Sequence, residues 1–319
     1  MQNYLLVGNG LNRCLSTGVS WGDLLKTVAE KYHVSYNPNI VMPMEFERIV
    51  NEILSRDLTK NPNTFINDVK SEISNLIKDE SLKSDAIHYK LNKMKIDGLL
   101  TTNYDLLLEK VFDKNYVYNG SKTNKYLFEP TGNVNEKLFY HLHGIVSNPS
   151  SLCLGYEHYM GMVQNLRGEL NTKKRNISTE MAIKRILCNE EPSKNIWGEL
   201  FYTSNIAIIG LGLTDCESDL WWLITHRASL YYSDYCNLRS DRILKNKIVY
   251  YDVLDEIKKG NPAKEQERKN SEIEKKNRHQ LLRGEHVDVK TFCLGKDCCS
   301  YTEAYNLMIE DICKNGISS

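Results

Sequence analysis

Four polar or glycine-rich groups stand directly after short apolar runs: Gly8-Asn9-Gly10, Asn103-Tyr104-Asp105, His141-Leu142-His143-Gly144 and Gly210-Leu211-Gly212. An imidazole titrating near neutrality can take a proton from a hydroxyl or a water. An Asn amide offers donors and acceptors and can hold such a group in place. Glycine turns let backbone N–H groups approach phosphate oxygens. Each group also has a plainer use. Asp105 is well placed to cap the helix that follows it, and a lone His before a glycine can be a satisfied structural residue. The Gly8-x-Gly10 loop has Arg13 at the sixth position, where a dinucleotide fingerprint has a third glycine. No strand ending in an acidic residue follows about 20 residues on, so a dehydrogenase fits poorly. His141 and His143 share one face of a strand and could in principle ligate a metal. No third ligand stands out, and no metal is expected.

These groups need a scaffold that brings them together. Tyr4–Val7, Gly98–Thr102, Lys137–Leu142, Ile206–Ile209, Lys247–Tyr251 and Val287–Phe292 read as six buried strands. Ser20 is a plausible helix N-cap with Asp23 at the capping-box position. Phe46, Ile49, Val50, Ile53 and Leu54, then Phe65, Val69, Ile73, Leu76 and Ile77, repeat at helical spacing. They mark a helical insertion over about 43–95. Leu106–Phe112 and Thr302–Cys313 read as further helices. Lys258–Arg283 is the most polar stretch, read as an exposed helix or connector with alternating charge. The expectation is a single α/β domain over 1–319: a Rossmann-like, mostly parallel sheet flanked by helices. In such sheets ligands bind outside the carboxyl ends of the strands, so the four groups would converge on one cleft.

Composition excludes several classes. The 41 basic and 41 acidic side chains cancel, so no global field favours nucleic acid or an anionic membrane. No run approaches the roughly 20 apolar residues of a membrane helix, and the N-terminal segment lacks the pattern of a signal peptide. Nine scattered cysteines suit reduced thiols in a cytoplasmic protein.

Taken in order, VGNGLN (7–12), GVSWGDLL (18–25), TTNYDLLLE (101–109), FYHLHG (139–144) and IIGLGLTD (208–215) resemble the sirtuin superfamily. They are most similar to its bacterial branch that degrades NAD in antiphage defence. The resemblance implies that Gly8, Asn9, Gly10 and Asn12 form the loop cradling the NAD pyrophosphate. It implies that Asn103 and His143 are catalytic and that Asp105 contacts the nicotinamide carboxamide. Gly210 and Gly212 would lie beside the adenosine ribose, and Asp215 stands where this branch often has an acid. Protein-deacetylating sirtuins carry a four-cysteine zinc module between the His-Gly motif and the later glycine loop. Here that interval holds only Cys153 and Cys188, which favours an NAD glycohydrolase, with NAD as substrate, over a deacylase. A non-hydrolysing sensor of NAD or ADP-ribose is the other reading. The resemblance further implies a homo-oligomer, or a separate activating partner such as a ring-forming ATPase or a nucleic-acid-guided sensor. Leu220-Trp221-Trp222 and Tyr231-Tyr232 could serve an interface or fill the core.

Overall fold

The computed structural model describes residues 1–15, 20–79, 85–170, 179–190, 193–236, 244–255 and 262–317. Gly18 and Val19 of the second motif, and the start of the 258–283 stretch, lie outside the described residues.

Seven strands form one sheet: β1 (Asn3–Val7), β2 (Gly98–Thr101), β3 (Gly132–Val134), β4 (Lys137–His141), β5 (Asn205–Ile209), β6 (Ile248–Asp255) and β7 (Asp288–Leu294). Their order is β3-β4-β2-β1-β5-β6-β7. All pairs are parallel except β3 with β4. Counting the parallel strands alone, the chain runs outward from β1 through β2 to β4, then crosses back to β5 and runs out the other way. That reversal places the topological switch point between β1 and β5, where crevices form in doubly wound sheets.

Among the described residues, eleven α-helices accompany the sheet: α1 (Trp21–Lys31), α2 (Met42–Arg56), α3 (Pro62–Asp79), α4 (Ala86–Lys90), α5 (Leu107–Phe112), α6 (Tyr156–Leu170), α7 (Thr179–Leu187), α8 (Trp197–Thr203), α9 (Ser218–Cys236), α10 (Pro262–Gly284) and α11 (Tyr301–Asn315). Strand alternation sorts β1 between two cores. Tyr4 and Leu6 face a layer built from α6 to α9 with Leu282 of α10. Leu5 and Val7 face a layer built from α4, α5 and α11. The fold is therefore the expected α/β sandwich of helices on both faces of a mostly parallel sheet.

The helical stretch after β1 divides. Helices α1, α2 and α3 close a third core of their own around Phe46, Val69 and Ile73, seated on Leu152 and Leu154 beyond β4. Helix α4 instead packs Ile87 against the sheet. The capping box at α1 forms as read: Ser20 Oγ accepts from the Asp23 N–H at 3.2 Å, and Asp23 accepts from the Ser20 N–H at 3.0 Å. Strand β3 was not apparent from the sequence. It joins β4 through Asn135 and Glu136, both at positive φ (51° and 64°). That is a two-residue hairpin without the glycine that usually signals one.

The polar stretch over α10 is helical where described. Leu220 is fully buried, with Trp221 and Trp222 half-buried against the same core. Tyr231 stacks on His286 with ring centroids 3.6 Å apart, and Tyr232 is 46% exposed. No helix among the described residues is long and apolar enough to cross a membrane.

Candidate active site

A cavity of about 210 Å³ opens at the carboxyl ends of β1, β2 and the segment after β4. Its floor carries Asn9, Asn12, Asn103, Asp105 and His143, and Thr214 and Glu217 close one side. The roof comes from the first three helices: Trp21, Leu24, Met42, Pro43 and Ile77. An adjoining groove shares Asn9, Trp21, Met42, Thr102, Thr214 and Glu217 with the cavity and continues past Gly10, Gly210 and Gly212 toward β6, α10 and α11. The smaller cavity and the larger groove thus form one continuous crevice at the switch point.

His143 is 3% exposed and faces Asp219 at the start of α9, with Nε2 3.1 Å from Oδ2 and 3.3 Å from Oδ1. A carboxylate only accepts, so Nε2 carries the hydrogen and the neutral ring holds its free lone pair on Nδ1. Burial pulls the His143 pKa down, but the Asp219 carboxylate, aided by Glu217, outweighs it and holds the imidazole above its usual range. Tyr159 packs edge-on against the ring at 5.1 Å between centroids. Glu217 accepts from the Thr214 hydroxyl at 2.7 Å, and burial raises its pKa.

Asn103 is 6% exposed, and neither Nδ2 nor Oδ1 of its amide has a hydrogen-bond partner among the described residues. An unsatisfied buried polar group costs about 1–3 kcal/mol. Such a cost at a residue lining the pocket sets Asn103 apart from a satisfied structural amide. Asp105 lines the same floor. Its Oδ1 accepts from the Leu107 N–H at 2.9 Å, the helix-capping role open to it in the sequence, and its Oδ2 accepts from Asn12 Nδ2 at 3.0 Å. Burial raises the Asp105 pKa. Its remaining lone pairs can accept from an amide N–H of a ligand.

The remaining sequence candidates separate. Asn12 lines the cavity but is 1% exposed, and its amide bridges His88 Nε2 (3.1 Å) and Asp105. Gly8 and Gly10 press against Gly210, whose carbonyl accepts from the Gly10 N–H at 2.7 Å. Gly10, Gly210 and Gly212 line the groove, and Asn9 lies where groove and cavity meet. Asp215 is exposed and lines neither space; from this segment the acids that reach the site are Glu217, on the cavity wall, and Asp219, behind His143. His141 does not share a ligand position with His143: its two ring nitrogens go to the Asn103 carbonyl and to Glu109. Among the described residues, no group of three His, Cys, Asp or Glu side chains could hold a metal.

Asp219, Glu217, Glu109 and the groove cations Arg13, Lys275 and Arg278 were not singled out from the sequence. For Asp219 a signal existed. It precedes Leu220 by one and Leu223 by four, and both leucines are fully buried, so helical phase puts it on the inward face. Glu217→Gln is expected to move the acid limb of any His143-dependent pH profile to lower pH, because it removes a charge that favours the imidazolium. The turnover rate should change by less than about tenfold. A limb unmoved in titration would show that Glu217 does not act on His143.

Fold and site define a doubly wound α/β protein with an Asn–His floor at its switch point. A family model described as SIR2-like domain matches residues 97–229. The matched stretch runs from β2 into α9 and includes Asn103, Asp105, His143, Gly210 and Asp219. It supports membership of the sirtuin-like superfamily and points to NAD-related chemistry. No curated protein matches the chain.

Proposed function

We propose that the chain is an NAD glycohydrolase that cleaves the nicotinamide–ribose bond. The observation that carries this reading is the buried, unpartnered Asn103 amide on the same floor as the carboxylate-backed His143. The residues present fit NAD. The smaller cavity suits the nicotinamide riboside half, Asp105 the carboxamide, and the groove along Gly10, Arg13 and Gly210 to Gly212 the pyrophosphate and adenosine.

Bound NAD supplies a pyridinium leaving group that departs neutral, so the site needs no general acid for it. Asn103 holds a water or a ribose hydroxyl through its amide. His143 accepts the proton at Nδ1 while Asp219 stabilises the resulting imidazolium through Nε2. Trp21, Met42 and Pro43 keep bulk water off the reacting centre. The interval from His143 to Gly210, occupied where described by α6, α7 and α8, has two cysteines rather than four, which weighs against a peptide-framing zinc module and hence against the deacylase reading.

In a cell this activity would deplete NAD, as in antiphage defence, and would need restraint. We place that restraint in self-assembly or in a separate partner such as a ring-forming ATPase or a nucleic-acid-guided sensor. The test is purified protein with NAD, alone and with an acetyl-lysine peptide, followed by product chromatography. Nicotinamide with ADP-ribose, independent of peptide, is the expected result. Nicotinamide release only with peptide would identify a deacylase, and NAD binding without turnover at any protein concentration a sensor.

A further inference from the structure

Asn103 is held by its backbone at both ends. Its N–H donates to Thr101 Oγ1 at 3.0 Å, and that hydroxyl donates to the Val7 carbonyl at 2.8 Å. Its carbonyl accepts from His141 Nδ1 at 2.8 Å. The side-chain amide is left without a partner among the described residues. What fixes the catalytic amide is therefore the turn after β2, and what fixes that turn includes His141.

The other side of His141 determines its protonation. Nε2 lies 2.7 Å from Glu109 Oε1 on α5, and both side chains are completely buried. A carbonyl oxygen only accepts, so Nδ1 must carry a hydrogen. A neutral ring would then set the bare Nε2 lone pair against a carboxylate, two acceptors in contact. The contact requires a proton between them. The ionisable groups facing this pair are Asp105 from the loop after β2, and Tyr116, which faces Glu109 from the loop after α5. Burial opposes charge on His141, but Glu109, with the Asn103 carbonyl and Asp105, outweighs it and holds the imidazole above its usual range.

We propose that the His141–Glu109 ion pair is a positioning clamp: a buried imidazolium grips the Asn103 carbonyl and locks the turn that holds Asn103 at the pocket. The proposal rests on the reading of Asn103 as catalytic. Neither His141 nor Glu109 lines the cavity or the groove, so both act through Asn103 and are positioning residues. The clamp gives the sequence motifs TTNYDLLLE and HLHG a common purpose, since each supplies one partner of the pair.

The test has two arms. In the first, Glu109→Gln keeps the size and can still accept from Nε2 but removes the charge. The kcat for NAD hydrolysis is expected to fall by about tenfold or more, with KM within about threefold of the wild type. His141→Asn, which restores a neutral donor, should retain more of kcat than His141→Phe. An unchanged kcat in a folded Glu109→Gln protein overturns the clamp. The second arm needs neither a variant nor turnover. In ¹⁵N NMR of the wild-type protein at pH 7, both ring nitrogens of His141 are expected to carry protons, and a neutral ring overturns the proposal. If the wild type leaves NAD intact, the hydrolase reading falls, while the NMR result still decides the clamp.

Discussion

His143→Ala is expected to lower NAD turnover by about three orders of magnitude or more, and Asp219→Asn by about 100-fold, in proteins that melt like the wild type. The larger loss removes the base itself. The smaller one keeps the ring but takes away the carboxylate that fixes its tautomer and stabilises its charged form. The pH profile separates the two causes. With the His143 pKa raised, the acid limb lies on the alkaline side of the ordinary imidazole value of 6.5. Asp219→Asn leaves burial as the dominant influence, so the limb should move to lower pH even as the plateau drops. The linkage to stability has the same sign. The pair's stabilisation is complete below the unfolded imidazole pKa and fades as pH rises through the higher folded one. Stopped assays of nicotinamide release between pH 5 and 9, with melting curves on the same samples, would check both. An Asp219→Asn enzyme with an unchanged plateau would remove Asp219 from the mechanism. Asn103→Ala should match His143→Ala in severity, because among the described residues no other buried amide has both side-chain atoms unpartnered.

Which of these parts could be read from the sequence follows from what local patterns encode. Strand existence was legible because Leu5 to Val7, Gly98 to Thr101 and Ile206 to Ile209 are continuous apolar runs, as strands buried on both faces must be. The convergence of Asn103 and His143 followed from their common position at the ends of parallel strands. The edge strand β3 was not legible: three residues are too few for a period, and its turn uses Asn135 and Glu136 instead of a glycine. The two carboxylate–histidine pairs were hidden for another reason. Helical phase can say that Asp219 and Glu109 point inward, but not which side chain meets them. His143 and Asp219 are 76 residues apart, His141 and Glu109 are 32 apart, and both contacts depend on how helices α9 and α5 dock on the sheet. Asp215 drew attention because it completes a motif, whereas the burial of Asp219 needed the phase of Leu220 and Leu223. The position of Asn12 in the glycine loop implies a backbone contact to phosphate, and the hydrogen bonds of its amide to His88 and Asp105 were not legible.

Gly8→Ala is expected to destabilise the fold by about 3 kcal/mol, the upper end for overpacking a tight contact, lowering Tm by roughly 4–5 °C. A Cβ at Gly8 would lie 2.4 Å from the Gly210 carbonyl oxygen and 2.6 Å from the Leu211 Cα. Both are backbone atoms, so no side chain can swing aside. Gly210 cannot yield easily, because it sits at φ +65° with its own Cβ position 2.9 Å from the Leu11 nitrogen. Relief would have to come from parting β1 and β5 at the switch point, breaking the 2.7 Å bond from the Gly10 N–H to the Gly210 carbonyl. The loop displaced by that movement leads through Thr214 and Glu217 to Asp219, so nucleotide affinity and turnover should fall together with stability. Gly168→Ala supplies the contrast. It lies within α6 with no described atom within 4 Å of its Cβ position, and the gain in helix propensity should stabilise by about 0.5–1 kcal/mol. Differential scanning calorimetry of both variants decides the matter. If Gly8→Ala melts like the wild type, the two glycine loops part at little cost, and their tight packing cannot be what sets the width of the crevice.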